Sequence, residues 1–391
     1  MISVQEALEI IKKHQYTATS INVNLDSSLN FTLAQDIFSP ISMPPFRQSA
    51  MDGYAVNVHS TNKYSLIGEV KAGDAANYIL KPGQAVRIFT GAEVPDTANA
   101  VIMQEKINHT ENSIEVINET PVLNQNIRDK GEQINNGDIA ITKNTVLTPS
   151  VISFLASLGI NKIEVYPKPK VAIVVTGSEL IAPGTPYQQG KIYESNSVML
   201  ATTLQQENII DYTIHRIADD YQSTENLLKE VIENNNFVLV SGGISVGDYD
   251  FVGKALKNIN TEQLFYKIKQ KPGKPLFFGK NGNTYIFALP GNPASALTCF
   301  YMYALPMLRS FSKHKQAHLV WTKKKLSHNY TVKGIRAQFL KAHYKKEFVE
   351  VVDFQSSAMI HGFNNANSLM FLPENSEKIK KNTIIDVILL P

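Results

Sequence analysis

The clearest pattern along the chain is a series of short apolar runs, each followed by a polar loop, between residues 170 and 310. The runs occupy residues 171–175, 209–217, 237–240 and 285–289. Continuous apolar runs rich in β-branched residues are typical of strands buried on both faces, and helical stretches separate these strands. The pattern therefore predicts a doubly wound, mostly parallel α/β sheet, whose ligands bind beyond the carboxyl ends of the strands.

The amino terminus has helical rather than strand periodicity. Ser3 and Glu6 form the S-x-x-E pattern of a capping box, and apolar residues recur at helical spacing from Val4 to Ile11. This predicts an amphipathic first helix. Acidic residues interrupt the apolar positions and lysines follow them, which is the reverse of a secretory signal, so the segment is expected to belong to the mature protein.

Two other parts of the chain have β patterning. Residues 47–136 alternate β-prone runs (64–70, 85–90, 100–104 and 113–117) with Gly, Asn and Pro turns, which predicts a small all-β unit. Residues 321–391 contain further candidate strands at 348–352, 368–372 and 383–390, and predict a separate β domain. Before the first of these parts, residues 16–46 are predicted to be a connector that contains the proline pair Pro44-Pro45 near its end. After it, residues 151–158 are predicted to be helical.

The uncharged window at residues 287–308 resembles a membrane span by hydropathy alone. Pro290, Pro293 and Pro306 argue against one, because they leave a helix of about 12 residues, or roughly 18 Å, where a bilayer core requires about 30 Å. We therefore expect a buried core helix here and no membrane span.

Composition and charge argue against several classes of function. The chain has 391 residues and 43% hydrophobic composition, which is the ordinary balance of a multi-domain globular protein. Its 38 Lys+Arg and 35 Asp+Glu give a net charge of +3, too mild to predict nucleic-acid binding. The single Cys299 excludes an intrachain disulfide, and no thiolate metal motif is present.

The loop after the third apolar run has the composition of a phosphate-binding turn. Residues 241–250 read SGGISVGDYD, with glycines that allow backbone N–H groups to approach an anion and carboxylates able to carry Mg²⁺. The alternative is a tight turn with Asp248 as a helix cap. The loop matches neither the P-loop nor the dinucleotide fingerprint.

Lysines crowd the next candidate loop. Lys271 and Lys274 lie within the KPGKP segment at residues 271–275, and Lys267 lies just before it. A rigid cationic loop of this kind suits an oxyanion or phosphate. The alternative is a solvated run of charge. Further acids follow other strands at Glu179 and at Asp219-Asp220. Several acidic strand ends in one sheet favour a metal-phosphate site over isolated helix caps.

Five segments together carry a resemblance to a known family. They are 45–55 (PFRQSAMDGYA), 88–92 (IFTGA), 241–250, 271–275 and 289–293 (LPGNP). In this order, over nearly the whole chain, they resemble the molybdopterin molybdenumtransferases, the bacterial MoeA proteins related to the gephyrin E domain.

The resemblance implies an elongated protein with several domains. These are a linking domain (1–46 with 137–168), a β insert (47–136), a molybdopterin-binding α/β domain (169–310) and a carboxy-terminal β barrel (311–391). It also implies a cytoplasmic homodimer that inserts molybdate into adenylylated molybdopterin, releases AMP and requires Mg²⁺. An upstream molybdopterin adenylyltransferase and downstream molybdoenzymes or cofactor carriers would be its functional partners.

The resemblance and the residue chemistry together give candidate site residues. By motif position, the expected catalytic residues are Asp52, Thr90, Glu179, Asp219 and Asp250. The expected metal ligands are Asp52, Glu179, Asp219, Asp248 and Asp250. The expected substrate- and anion-binding residues are Ser241, Gly242, Gly243, Ser245, Lys267, Lys271, Lys274, Pro290, Asn292, Arg336 and Ser357.

Two other functions compete with this one. A pterin adenylyltransferase uses a related α/β domain, but would leave the β insert, the Asp52 segment and the last domain without a role. A non-catalytic, gephyrin-like scaffold would not need the acidic set, which is nearly complete here. The acidic set departs from the family pattern at one position, Gln133, where the family commonly has an acid.

Overall fold

The computed structural model describes residues 1–217, 220–244 and 251–391. The chain forms two compact units. The first consists of Met1–Ile21, Asn30–Thr32 and Glu164–Pro391, and the second of Asn22–Leu29 and Leu33–Ile163.

Up to residue 166 the chain consists mostly of short strands, with two α-helices. In chain order they are α1 (Val4–His14), β1 (Ile21–Asn24), β2 (Thr32–Leu33), β3 (Ile37–Phe38), β4 (Gln48–Ser49), β5 (Gly53–Val56), β6 (Lys63–Val70), β7 (Gln84–Ile88), β8 (Ala100–Met103), β9 (Ile107–Thr110), β10 (Ser113–Val116), β11 (Ile127–Arg128), β12 (Ile139–Ile141), α2 (Pro149–Ser157) and β13 (Lys162–Tyr166).

Strands and helices alternate from residue 171 to residue 311. They are β14 (Val171–Thr176), β15 (Leu180–Ile181), β16 (Ile192–Tyr193), α3 (Asn196–Gln206), β17 (Tyr212–Ile217), α4 (Tyr221–Asn234), β18 (Phe237–Ser241), α5 (Phe251–Asn258), β19 (Glu262–Tyr266), β20 (Gln270–Lys271), β21 (Phe277–Asn281), β22 (Thr284–Leu289), α6 (Pro293–Cys299) and α7 (Leu305–Phe311).

The last part of the chain is again rich in strands. These are β23 (Trp321–Leu326), β24 (Tyr330–Thr331), β25 (Ala337–Lys345), β26 (Phe348–Val351), β27 (Ser368–Leu372), β28 (Lys378–Ile379) and β29 (Ile384–Leu389), with a 3₁₀ helix at Ile360–Asn365.

Helix α1 begins with the predicted capping box. The backbone N–H of Ser3 donates to Glu6 Oε2 at 2.7 Å, and the backbone N–H of Glu6 donates to Ser3 Oγ at 3.2 Å. The helix buries Val4, Ala7 and Ile11 in the core of the first unit. The amphipathic helix predicted from the sequence is confirmed.

The second unit contains a sheet with the strand order β8-β5-β7-β6-β10-β9. Neighbouring strands are antiparallel except for β6 and β7, which are parallel. Both faces of the sheet are covered, because Ala55 packs in one apolar cluster and its neighbours Tyr54 and Val56 pack in another. The all-β prediction for this region is confirmed, although the sequence did not single out β5.

The first unit contains the predicted doubly wound sheet, in the order β17-β14-β18-β22-β21-β19. Strands β17, β14, β18 and β22 are parallel, and β21 and β19 add antiparallel at one edge. Alternate residues of β14 enter two different cores: Ile173 packs with α1 and α3, whereas Ala172 packs with α4 and α5. Helices therefore cover both faces, as the apolar runs predicted.

The carboxy-terminal strands form a closed barrel. The sheet order is β20-β25-β26-β23-β29-β27, and β27 also pairs with β25, which closes the ring. Strand β20 comes from the α/β region and pairs in parallel with β25, with Lys271 opposite Gln338. The barrel is thereby joined to the loop that carries the candidate lysines.

Two details differ from the sequence predictions. The helical segment after residue 293 does not stop at Pro306: a π-helical stretch, Phe300–Ala304, joins α6 to α7, and Pro306 lies in the first turn of α7, where a missing N–H is tolerated. Strand β17 starts at residue 212, since Asn208 adopts φ 57° and the N–H of Ile209 caps α3 by donating to the carbonyl of Leu204.

Among the described residues, every helix is too short or too polar to cross a membrane.

Candidate active site

A cleft of about 750 Å³ opens at the carboxyl ends of β14, β18 and β22 in the first unit. Several of its lining residues were predicted from the sequence: Glu179, Ser241, Gly242, Gly243, Pro290 and Asn292. Their position follows from the parallel sheet, because the loops after its strands all emerge at one edge.

The turn after β18 forms one wall, and its backbone requires glycine. Gly242 has φ 94°, and a Cβ on it would lie 2.7 Å from the carbonyl oxygen of Thr176 on the neighbouring strand. Gly243 has φ 66°, and its Cβ would lie 2.6 Å from a Val252 methyl group. Only glycine allows the main chain to pass this close to β14, which leaves main-chain atoms at the surface of the cleft.

Asn196, at the start of α3, ties two strand-end loops together. Its Nδ2 donates to Ser241 Oγ and to the carbonyl oxygen of Gly291, both at 2.8 Å. Since a carbonyl can only accept, this contact fixes the orientation of the amide. Sequence reasoning missed Asn196, because a polar residue at a helix start is commonly only a cap.

Two buried polar atoms in the wall have no hydrogen-bond partner among the described residues. They are Asn196 Oδ1 and Thr176 Oγ1, on side chains that are 8% and 6% exposed. Buried polar groups are normally paired, and an unpaired one has a free-energy cost. This part of the cleft therefore retains unused hydrogen-bonding capacity.

A buried carboxylate, Glu194, also lies in the wall and was not predicted. Glu194 is 2% exposed, and its Oε1 accepts the backbone N–H of Ser197 at 2.7 Å in the first turn of α3. The hydroxyl of Ser197 donates to Oε2, and Arg216 Nη2 lies 3.6 Å from that oxygen. These partners compensate the charge, so Glu194 serves the helix start rather than offering a free ligand.

Glu179 differs from Glu194 because it is exposed. Its carboxylate lies against Gly177, where a Cβ would be 2.9 Å from Oε2. The sequence predicted an acid at this strand end, and the structure places it in the lining of the cleft. Glu179 is therefore the described carboxylate of the cleft that is best placed to meet solvent or a cation.

A loop after the barrel strand β26 closes another side of the cleft. Asn292 Nδ2 donates to Ser357 Oγ at 3.0 Å, and the backbone N–H of Ala294 donates to the Ser357 carbonyl at 3.0 Å. Ala358 is a lining residue. The structure thus brings the predicted residues Asn292 and Ser357 together, although they are 65 positions apart.

The predicted cations lie near this region but do not line the described part of the cleft. Lys271 is in β20. Arg336 Nη1 donates to the carbonyl of Gln270, the residue before Lys271, at 3.0 Å. Lys267 has its ammonium 4.7 Å from the centre of the Tyr266 ring. Lys274 is exposed, one residue before Pro275, which does line the cleft.

Asp52 and Thr90 are paired in the second unit. The backbone N–H and the hydroxyl of Thr90 both donate to Asp52 Oδ1 at 2.7 Å. These two bonds, the backbone bond first, lower the pKa of the exposed Asp52 carboxyl below its ordinary value. In the same unit, the backbone N–H of Gln133 donates to the carbonyl of Met43 at 2.9 Å.

Four predicted site residues lie outside the described residues: Asp219, Ser245, Asp248 and Asp250. Within the described ranges, no group of three or more His, Cys, Asp or Glu side chains is arranged to hold a metal ion. The predicted metal site therefore stays a prediction.

Family models match the chain in three consecutive parts. Residues 2–159 match the MoeA N-terminal region (domain I and II), residues 172–310 match a probable molybdopterin binding domain, and residues 323–390 match the MoeA C-terminal region (domain IV). A molybdopterin molybdenumtransferase of Haemophilus influenzae is 32% identical, over 93% of this chain and 92% of that protein. The chain belongs to the molybdopterin molybdenumtransferase (MoeA) family.

Further members agree with this assignment. A molybdopterin molybdenumtransferase of Staphylococcus epidermidis is 31% identical over 99% of this chain and 95% of that protein. A crystal structure of a molybdopterin biosynthesis MoeA protein from Pyrococcus horikoshii has a TM-score of 0.82 at 28% identity, and covers 100% of this chain and 99% of that one. The MoeA fold thus extends over the whole chain, including the barrel and the loop that carries Ser357.

Proposed function

We propose that this protein is a molybdopterin molybdenumtransferase that inserts molybdate into adenylylated molybdopterin and releases AMP. Family membership supports the reaction. The observation that carries the proposal is the cleft at the strand ends, where the Gly242–Gly243 turn, Asn292 and Ser357 meet. Glycine turns and amide and hydroxyl groups at the carboxyl edge of a parallel sheet suit an anionic ligand.

Different residues are assigned to donating hydrogen bonds to the anionic ligands and to attracting them by charge. Both molybdate and the pyrophosphate linkage of the substrate are anions, which backbone and side-chain donors bind and nearby cations attract. We assign the donor role to Ser241, Gly242, Gly243, Ser245, Asn292 and Ser357, and the attraction of the anions to Lys267, Lys271, Lys274 and Arg336. Pro290 has no N–H group and contributes to the shape of the cleft wall. AMP leaves when an oxygen of water or molybdate bonds to one phosphorus of the linkage and the bridging P–O bond breaks.

The acids are assigned to proton and metal handling. Carboxylate oxygens are the ligands that Mg²⁺ prefers, and the exposed Glu179 in the cleft lining fits that chemistry. Glu179, Asp219, Asp248 and Asp250 would hold the ion, and bound Mg²⁺ would polarise the P–O bond. Asp52 is assigned to the same reaction, with Thr90 keeping its carboxyl ionised through two hydrogen bonds.

The same proposal covers the organisation of the protein. Its domains are the linking domain (1–46 with 137–168), the β insert (47–136), the molybdopterin-binding domain (169–310) and the barrel (311–391). The protein acts in the cytoplasm as a homodimer. It receives its substrate from a molybdopterin adenylyltransferase and supplies molybdoenzymes or cofactor carriers.

An AMP-release assay tests the function. The protein is incubated with adenylylated molybdopterin, molybdate and Mg²⁺, and AMP is measured by chromatography. Wild type should release AMP, and Glu179→Gln should release it on the order of 10²-fold more slowly, because a charged contact in the site is lost. The matched control is Glu230→Gln, an exposed acid on α4, which should retain the wild-type rate.

Other outcomes would point elsewhere. If the protein forms adenylylated molybdopterin from ATP and molybdopterin instead, it is an adenylyltransferase. If wild type shows neither reaction, a scaffold is favoured. Equal rates in wild type and Glu179→Gln would remove Glu179 from the mechanism without affecting the assigned reaction.

A further inference from the structure

Lys341 is a buried cation that none of the roles above uses. It lies on the barrel strand β25 and is 4% exposed. Its ammonium donates to the carbonyl oxygens of Ser356 at 3.3 Å and Met359 at 2.9 Å, and lies 5.6 Å from the centre of the Phe363 ring. Among the described residues no acid pairs with it, and burial is the only influence on its charge.

The two carbonyls that Lys341 holds flank the residues that reach the cleft. Ser356 immediately precedes Ser357, and Met359 immediately follows Ala358. Ser357 contacts Asn292 and Ala294, and Ala358 lines the cleft. The ammonium therefore fixes the loop on both sides of its two cleft residues.

The rest of the loop is built around the same lysine. Gln355 pairs with the Lys341 backbone in both directions: its Oε1 accepts the N–H at 3.0 Å, and its Nε2 donates to the carbonyl at 2.8 Å. A Cβ on Gly362 would lie 3.0 Å from Lys341 Nζ. The segment from residue 355 to residue 362 thus contacts Lys341 both at its backbone and at its ammonium end.

An apolar side chain would fill this position at a lower cost. Burial without a counter-ion disfavours the ammonium and lowers the pKa of Lys341. Packing on this face of β25 does not require a charge, because Phe339, two residues earlier and on the same face of the strand, is apolar and buried. What the ammonium adds is a pair of strong, charge-assisted hydrogen bonds to the loop.

We propose that Lys341 is a positioning residue for the cleft, whose ammonium holds the carbonyls of Ser356 and Met359 and so keeps Ser357 in contact with Asn292 and Ala294. Lys341 acts through the loop and does not itself touch the ligand. The proposed function supplies only the identity of the ligand; the effect on the loop is independent of it.

The amide of Ala294 offers a direct readout. It lies in the first turn of α6, where backbone N–H groups have no partner within the helix, and it donates to the Ser357 carbonyl. Its hydrogen exchange therefore reports whether the loop is in place.

The experiment compares Lys341→Met with Lys345→Met, an exposed lysine on the same strand. In Lys341→Met the Ala294 amide should exchange at least about tenfold faster, since hydrogen bonds from a charged group are roughly twice as strong as neutral ones. The same substitution should also weaken the binding of AMP, used as the probe, by a similar factor. Lys345→Met should change neither quantity, and both variants should melt within a few degrees of wild type. If Lys341→Met does not fold, Lys341→Gln keeps a donor without the charge and takes its place.

Each outcome decides the proposal. Unchanged exchange at Ala294 in a folded Lys341 variant overturns it. Faster exchange with unchanged AMP binding also overturns it, because the loop would then be irrelevant to the cleft. If wild type binds no AMP and releases none, the proposed function fails; faster Ala294 exchange would still support the positioning role.

Discussion

At the scale of single residues, Asp52 shows how two hydrogen bonds set the charge of a carboxyl. The N–H and hydroxyl of Thr90 both contact Asp52 Oδ1 and stabilise its ionised form. A folded-state pKa below the ordinary 3.8 means that the carboxyl contributes stability above that value, and that the contribution is lost as the pH falls through the folded pKa. Asp52 is therefore charged at any pH at which the enzyme would work.

Replacing Thr90 tests this account. Thr90→Val keeps the backbone bond and removes the hydroxyl bond, so the pKa of Asp52 should rise towards its ordinary value without reaching it. Carboxyl NMR over about pH 2 to 6 measures the shift. Thr110→Val, in the hairpin of β9 and β10, is the control and should leave Asp52 unaffected. An unchanged Asp52 pKa in Thr90→Val would mean that the backbone bond acts alone.

Residue chemistry in the sequence predicted part of the cleft and missed the rest. The loops that carry Glu179 and Gly242 were found because glycines and acids at strand ends are unusual enough to notice. Asn196, Glu194 and Lys341 were not found, because each resembles a common cap or surface residue until its burial and partners are known. Burial of a polar side chain depends on the whole fold, and a local pattern does not contain it.

At the scale of elements, the end of β18 depends on glycine for two separable reasons. Gly242 has a positive φ, and it also passes close to the main chain of β14. Gly184 has a similar φ of 87°, but a Cβ on it would meet nothing within 4 Å. Substitutions at Gly242 and Gly184 therefore separate the cost of a positive φ from the cost of a steric clash.

We expect Gly242→Ala to be clearly worse than Gly184→Ala. Both carry the strain of a non-glycine residue at positive φ, on the order of 1–2 kcal/mol. Only Gly242→Ala must also move two strands apart, so it should lower the melting temperature further and reduce AMP release. Calorimetry and the AMP assay measure both effects. Equal losses of stability in the two variants would mean that the contact between β14 and the turn is loose.

Strands with a continuous buried run were predicted well, whereas β19, at one edge of the sheet, was not. The buried runs of β14, β18 and β22 appear nearly at their predicted bounds. Strand β19 was missed because at the sheet edge its residues are mostly exposed or half-buried and lack a continuous apolar run. Pro306 misled the prediction for the last helix, since a proline within a first turn does not end a helix.

At the scale of the whole molecule, each compact unit has apolar cores of its own. Clusters around Val86 and Ile102 lie in the second unit, and clusters around Ile173, Val240 and Val387 lie in the first. Separate cores permit separate unfolding transitions. The single Trp321 lies in β23 of the first unit and is 39% exposed, so its fluorescence reports on that unit alone.

Urea unfolding should therefore give different curves with different probes. We expect far-ultraviolet circular dichroism, which sees both units, to show a change where tryptophan fluorescence is flat. Trp321→Phe should remove the fluorescence signal and keep the dichroism curve. Coincident transitions with both probes would show that the units unfold as one cooperative body.

The division of the first unit along the chain has a consequence for the order of events during synthesis. Helix α1 leaves the ribosome before the rest of the first unit, yet its buried face packs against α7 and the π-helical stretch Phe300–Ala304. Translation at about 5–20 residues per second needs roughly 15 to 60 s to make the roughly 300 residues that separate α1 from the end of α7. The second unit is completed within that interval and can fold on the ribosome. The nascent chain must meanwhile expose the apolar residues of the α1 segment, and exposed apolar segments are what chaperones bind.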